Sequence, residues 1–176
     1  MLHLLGRFHL VVLHLPIGFL LLAFLIEWAS RRSSALQPAV RFSLFWGMLS
    51  AVVAAGLGYL LSLGGDYDEG LLAWHRWLGF ATAGLSVGLY FLHKNKEISA
   101  VSLKLYLPVF LATILTLLAA GHFGGSLTHG KGFLFKAEKS AENQAPPVSN
   151  LDSAEVFAHV ILPIIKEKCG GCHNDS

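Results

Sequence analysis

Cys169, Gly170, Gly171, Cys172 and His173 form a C-x-x-C-H close to the end of the chain and hold its only two cysteines. Two thiols separated by two residues on a helical turn reach the same edge of a ring, and the histidine that follows sits beneath its centre. This pattern attaches haem c: Cys169 and Cys172 form the thioethers, and His173 is the axial ligand to iron. A reduced dithiol or half of a zinc site is the competing reading, but zinc wants further ligands and only His159 lies near in sequence. Three residues follow His173, whereas a class-I cytochrome needs a long further stretch to wrap its haem. Met1 is the initiator and Met48 falls inside an apolar segment, so neither suits as a sixth ligand.

A second set of ligating side chains is spread through apolar sequence, where ionisable residues are costly and point to function. Counted inward from Arg31, Lys94 and Lys104, His14, His75 and His122 come out at one depth, ~25 to 29 Å at a rise of ~1.5 Å per residue. His9 and His129 form a second layer nearer the opposite face. His9 and His14 are five apart and point ~140° away from each other, whereas His122 and His129, seven apart, share a helical face. Three imidazoles from three helices at one depth suit bis-imidazole ligation of haem b, with His14, His75 and His122 as candidate iron ligands and one to spare. Copper or zinc also accepts three imidazoles, and histidines at a membrane interface need no ligand at all, as for His3, His93 and His129. Arg76 either neutralises a haem propionate or snorkels to the interface.

These residues must be positioned by membrane helices. Of the 176 residues 54% are hydrophobic and 14% charged, far from soluble composition, and a net charge of +2 offers no basic face for nucleic acid. Four segments are long enough to cross ~30 Å of hydrocarbon: Leu10 to Trp28, Phe42 to Gly65, Leu71 to Leu92 with Arg76 near one end, and Leu105 to Gly130. The first lacks a small-residue cleavage site before Arg31 and reads as a retained span, not a signal peptide. Arg31, Arg32 and Arg41 fall in one connection and Lys94, Lys96 and Lys104 in another, which by the positive-inside rule are cytoplasmic. Both termini then lie outside, where haem c is attached. Glu27 and Arg31 are expected to pair at the inner rim. The turn Asp66, Asp68, Glu69 reads as solvated, not as a calcium site. Small residues four apart, Ala51 and Ala55, Gly84 and Gly88, Gly121 and Gly125, predict close helix approach.

The fold class is therefore all-α: an antiparallel four-helix transmembrane bundle over residues 1–130, a polar linker with Pro146 and Pro147 over 131–151, and the first helix of a cytochrome c domain over 152–176, which reads as cut short. That helix is capped by Asp152 with Glu155, carries Phe157, Ile161 and Ile165 on one face, and restarts at Pro163. No internal repeat is evident.

The motifs His14-Leu-Pro-Ile-Gly18, His75-Arg-Trp77 and Gly121-His122-Phe-Gly-Gly125-Ser-Leu-Thr-His129-Gly130 resemble a family of four-helix bacterial membrane domains of unassigned function, over Met1 to Gly130. The tail from Val160 through Cys169 is similar to the start of planctomycete-type cytochrome c domains, which occur fused to such membrane domains. The resemblance implies a multi-pass protein of the bacterial inner membrane with a periplasmic cytochrome domain, haem b in the bundle and a respiratory role. The expectation is electron transfer between haem b and haem c, as a carrier or oxidoreductase subunit more than an enzyme in itself. Redox proteins of the membrane or periplasm are the partners, with quinol as a candidate donor. The alternative is a module that anchors a cytochrome, or binds haem or metal, without redox traffic through its helices. A transporter would want an inverted repeat or a charge in mid-membrane, and neither is present.

Overall fold

The computed structural model describes residues 2–30, 34–96, 98–132 and 156–168. The chain divides into two compact units, Met1–Phe133 and Leu134–Ser176. Among the described residues every regular element is helical.

In the first unit, α1 (Leu2–Gly6), α2 (His9–Val12) and α3 (His14–Ser30) follow one another in a single broken rod, followed by α4 (Gln37–Ser62), α5 (Glu69–Asn95) and α6 (Ala100–His129). Both breaks in the rod are local. At the first the bonds tighten to i→i−3, with Arg7 N–H donating to Leu4 C=O at 3.3 Å and Phe8 N–H to Leu5 C=O at 3.1 Å. The second, at Leu13, has its cause in Pro16, which has no N–H for the carbonyl four residues back and crowds that turn. Pro108, by contrast, is absorbed inside α6. Asp68 caps α5, its side chain accepting from Leu71 N–H at 2.9 Å, and Ser99 caps α6 through Ser102 N–H at 3.3 Å. α6 stops at Gly130, whose φ of 86° lies in the left-handed region that glycine adopts without strain.

Three segments are long and apolar enough to cross a membrane: Leu4–Ser30, Ser34–Ser62 and Ala100–His129. The expected span from Leu71 to Leu92 is helical and α5 has the length, 27 residues, but Trp74, His75, Arg76 and Trp77 in its first half leave it short in composition. The outward faces carry Leu15, Leu22, Leu25, Trp28, Leu111 and Leu115. Apolar surface this continuous is a liability in water and a contact surface in hydrocarbon.

All four long helical segments feed one core: Leu20 and Ala23 of α3, Val40 and Leu44 of α4, Leu89 of α5, and Tyr106, Phe110 and Leu117 of α6. Phe24 meets Phe110 edge to face at 5.5 Å. The buried hydroxyls of Thr82 and Thr113 bond within their own helices, to Leu78 C=O at 2.8 Å and to Val109 C=O at 2.7 Å, so neither donor is stranded where water is absent. The small-residue expectation is half corrected. Ala51 is buried, but a Cβ at Gly84, Gly88, Gly121 or Gly125 would meet nothing within 4 Å. Close approach occurs at other glycines, such as Gly6 against the backbone of Leu61 and Gly47 against Leu20.

In the second unit a π-helical turn, Phe157–Ile161, leads into α7, Leu162–Lys168. Pro163 occupies the first turn of α7, where its missing N–H costs nothing, as expected from the sequence. The cap at Asp152 lies outside the described residues.

Candidate functional site

At one end of the bundle the start of the broken rod and the start of α5 each bring a histidine against the helix that follows. His9 Nδ1 donates to Ala54 C=O at 2.8 Å, and His75 Nδ1 to Ala120 C=O at 2.9 Å; each acceptor lies 45 residues further along the chain. A carbonyl only accepts, so Nδ1 carries the proton in both rings and Nε2 keeps its lone pair. One turn beyond each acceptor is a glycine on which the ring rests. A Cβ at Gly58 would lie 2.9 Å from Cε1 and Nδ1 of His9, and a Cβ at Gly124 would lie 2.9 Å from Cε1 and 3.1 Å from Nδ1 of His75. Both rings are half-buried. They face each other with centroids 6.0 Å apart and planes at 80°.

These coincidences share one register. An offset of 66 residues carries His9 to His75, Ala54 to Ala120 and Gly58 to Gly124. The same offset carries Ser50 to Thr116, and the bonds follow: Ser50 Oγ donates to Trp46 and Gly47 carbonyls at 2.6 and 3.2 Å, Thr116 Oγ1 to Ala112 and Thr113 carbonyls at 3.0 and 3.1 Å. Ser62 with Tyr59, at 2.7 Å, is repeated by Thr128 with Gly125, at 3.1 Å. The sequence shows no repeat by inspection, yet the rod with α4 and α5 with α6 carry the same contacts at this offset.

The depth count is corrected by the same geometry. It set His75 level with His14 and His122 and put His9 in another layer, yet His9 is the residue that meets His75. The count separates His9 from His75 by only ~4.5 Å along the axis at a rise of ~1.5 Å per residue, a gap that two imidazole side chains reach across. His14 is exposed and His9 turned inward, as their five-residue spacing requires. His122 is half-buried with its ring 5.6 Å from that of Phe123. His129 is exposed, with Nδ1 2.7 Å from Thr128 Oγ1. Arg76 is half-buried beside His75, and Trp74 stacks on Phe123 at 5.9 Å. Among the described residues no three His, Cys, Asp or Glu side chains form a group able to hold a metal ion. Cys169, Cys172 and His173 lie outside the described residues.

The opposite end holds a polar cluster that sequence reasoning missed. Glu27 pairs with Lys96 at 3.3 Å; its expected partner Arg31 lies outside the described residues. Lys96 also donates to Gln37 Oε1 at 2.8 Å, Gln37 Nε2 to Ser30 Oγ at 2.7 Å, and Ser30 Oγ to Glu27 C=O at 2.8 Å. The Lys96 ammonium lies 4.6 Å from the centre of the Tyr106 ring, and Tyr106 is within 3.2 Å of His93 Nδ1. A buried acid among apolar residues is the signal that predicts such a cluster, though it does not name a partner 69 residues away.

A comparison with protein-family models, with curated proteins and with solved structures finds no match for this chain.

Proposed function

We propose that this chain is a membrane-anchored cytochrome that passes electrons between a haem b held by imidazoles of the bundle and a haem c on its tail. The observation that carries the reading is the C-x-x-C-H of Cys169, Cys172 and His173 placed directly after α7: the two thiols hold the macrocycle and His173 ligates its iron. All four helical rods cross the bacterial inner membrane in this reading. α5 is short of apolar residues, but it is joined to α4 and α6 by short connections and packs on both. Both termini are periplasmic, which agrees with the basic connections around Arg41 and Lys94. The bundle supplies ligands and a low dielectric, and ligand identity with burial sets the potential. Donor and acceptor are redox proteins of the membrane or periplasm, with a quinol as the candidate small donor.

The test is a pyridine haemochrome spectrum of the full chain before and after acid-acetone extraction. Thioether-bound haem c stays with the protein and haem b leaves it. Both haems are expected. Absence of the covalent haem sinks the cytochrome reading, and absence of the extractable one removes the bundle from the electron path.

One observation favours a second reading, in which the bundle is an anchor alone. The bonds from His9 to Ala54 and from His75 to Ala120 clasp helices whether or not Nε2 is used. That reading predicts haem c without extractable haem.

A further inference from the structure

Each hairpin offers one histidine, held by the same kind of bond to a backbone carbonyl. We propose that His9 and His75 are the two axial ligands of a single haem iron, bound through Nε2. This rests on the reading of the bundle as a haem protein and names its ligands.

Four features carry it. The carbonyls of Ala54 and Ala120 hold the Nδ1 protons, which is how metal-ligating imidazoles are oriented and kept in the right tautomer. Among the described residues neither Nε2 has a partner. The spacing fits: metal–nitrogen bonds of about 2 Å on either side of one ion, with the reach of the two rings, set imidazole centroids roughly 6 Å apart, and the rings stand at 6.0 Å. Two protein ligands complete a six-coordinate haem iron, whereas zinc or copper wants three or more, and no such group exists among the described residues. Lastly, the two hairpins meet chiefly through α4 and α5, while α3 and α6 touch sparsely. The sparse side is where a flat macrocycle can enter between the rings.

The site also accounts for glycine at both Gly58 and Gly124, since a methyl group at either would crowd the ring on its own side. The iron takes one ligand from each hairpin, so losing either histidine has the same consequence.

The experiment uses the full chain in detergent, with extractable haem, the visible spectrum and the ferric EPR signal as readouts. Wild type is expected to show low-spin bis-imidazole iron, with the strongly anisotropic signal of near-perpendicular ligand planes. His9→Gly and His75→Gly are each expected to lose that signal, and free imidazole to restore it, which a merely misfolded variant cannot do. His14→Ala and His122→Ala are expected to keep it. Loss in His14→Ala or His122→Ala with retention in His9→Gly overturns the pair and leaves haem b in the bundle standing. A wild-type chain with no extractable haem fails the parent reading and the pair together. A metal ion without porphyrin, lost on replacing His9, overturns the haem and keeps the pair.

Discussion

The two ends of the bundle use polar residues in opposite ways. At the Glu27 end the polar groups are spent on one another, carboxylate on ammonium, ammonium on amide, amide on hydroxyl and hydroxyl on carbonyl, with Glu27 Oε2 buried and without a hydrogen-bond partner among the described residues. At the histidine end His9 and His75 each spend Nδ1 on a backbone carbonyl, and among the described residues their Nε2 atoms are left over. The largest fully buried side chains, Phe110, Leu20 and Leu44, belong to a core that includes Tyr106 of the Glu27 end. One end closes the fold, and the other, in our proposal, offers the ligands of a haem iron. Stability and ligand binding should therefore separate by position.

The largest effect is expected in the core. Phe110 is 1% exposed and packs on Phe24 and Tyr106, so Phe110→Ala should cost about 3–5 kcal/mol in denaturant unfolding in detergent. If the ends are independent, extractable haem per folded protein should not change; a fall in both would break the separation. Next is Lys96→Met. The side chains of Lys96 and Glu27 are 14% and 21% exposed, and removing one partner strands the other, for a loss of about 2–3 kcal/mol. Replacing both by leucine should recover the wild-type value to within about 1 kcal/mol. If the double variant is worse than the single one, the cluster does more than close the fold.

What is legible in sequence is what a few neighbouring residues decide. The helices, the stop at Gly130 and the restart at Pro163 are of this kind. The opposite headings of His9 and His14 follow from five residues of helical twist. What fails is whatever needs one helix placed against another. Depth counted along the chain groups His75 with His14 and His122, and it does not show that His75 packs against His9. Spacing alone picked Gly84, Gly88, Gly121 and Gly125 as packing residues, yet their Cα atoms face open space, and the glycines at work, Gly58 and Gly124, lie beneath rings from other helices. Glu27 reaches Lys96, 69 residues along the chain, a contact that no local spacing announces. The register shared by the two hairpins hides for the same reason, since its marks are contacts 45 residues apart.

The glycines sharpen the comparison further. Gly58→Ala and Gly124→Ala each force a methyl to 2.9 Å from a ring atom, so each should cost about 1–3 kcal/mol, and by nearly equal amounts if the two hairpins hold their rings alike. Gly84→Ala meets nothing within 4 Å and should be neutral or stabilise by up to about 1 kcal/mol through helix propensity. Unequal costs at the two ring-bearing glycines would show that one histidine is held more firmly than the other.

The smallest effect belongs to the turn at the histidine end. Asp68 accepts from Leu71 N–H and pairs with Lys131 at 2.7 Å, and the Lys131 ammonium, ahead of the backbone N–H, holds its carboxyl below the usual aspartate range. With the folded value depressed, the contribution to stability is present above the ordinary pKa of ~4 and is lost as pH falls through the folded value. Both side chains are well exposed, 41% for Asp68 and 70% for Lys131, so salt screens the pair and the effect is small. Asp68→Asn keeps a good capping side chain and removes only the charge, whereas Asp68→Ala removes both. The expected order of melting temperature at neutral pH is wild type, then Asn, then Ala, with the gap between wild type and Asn closing in high salt and in acid. If that gap persists in high salt, the aspartate is bound to more than Lys131, and the turn belongs to the binding end in function as well as in place.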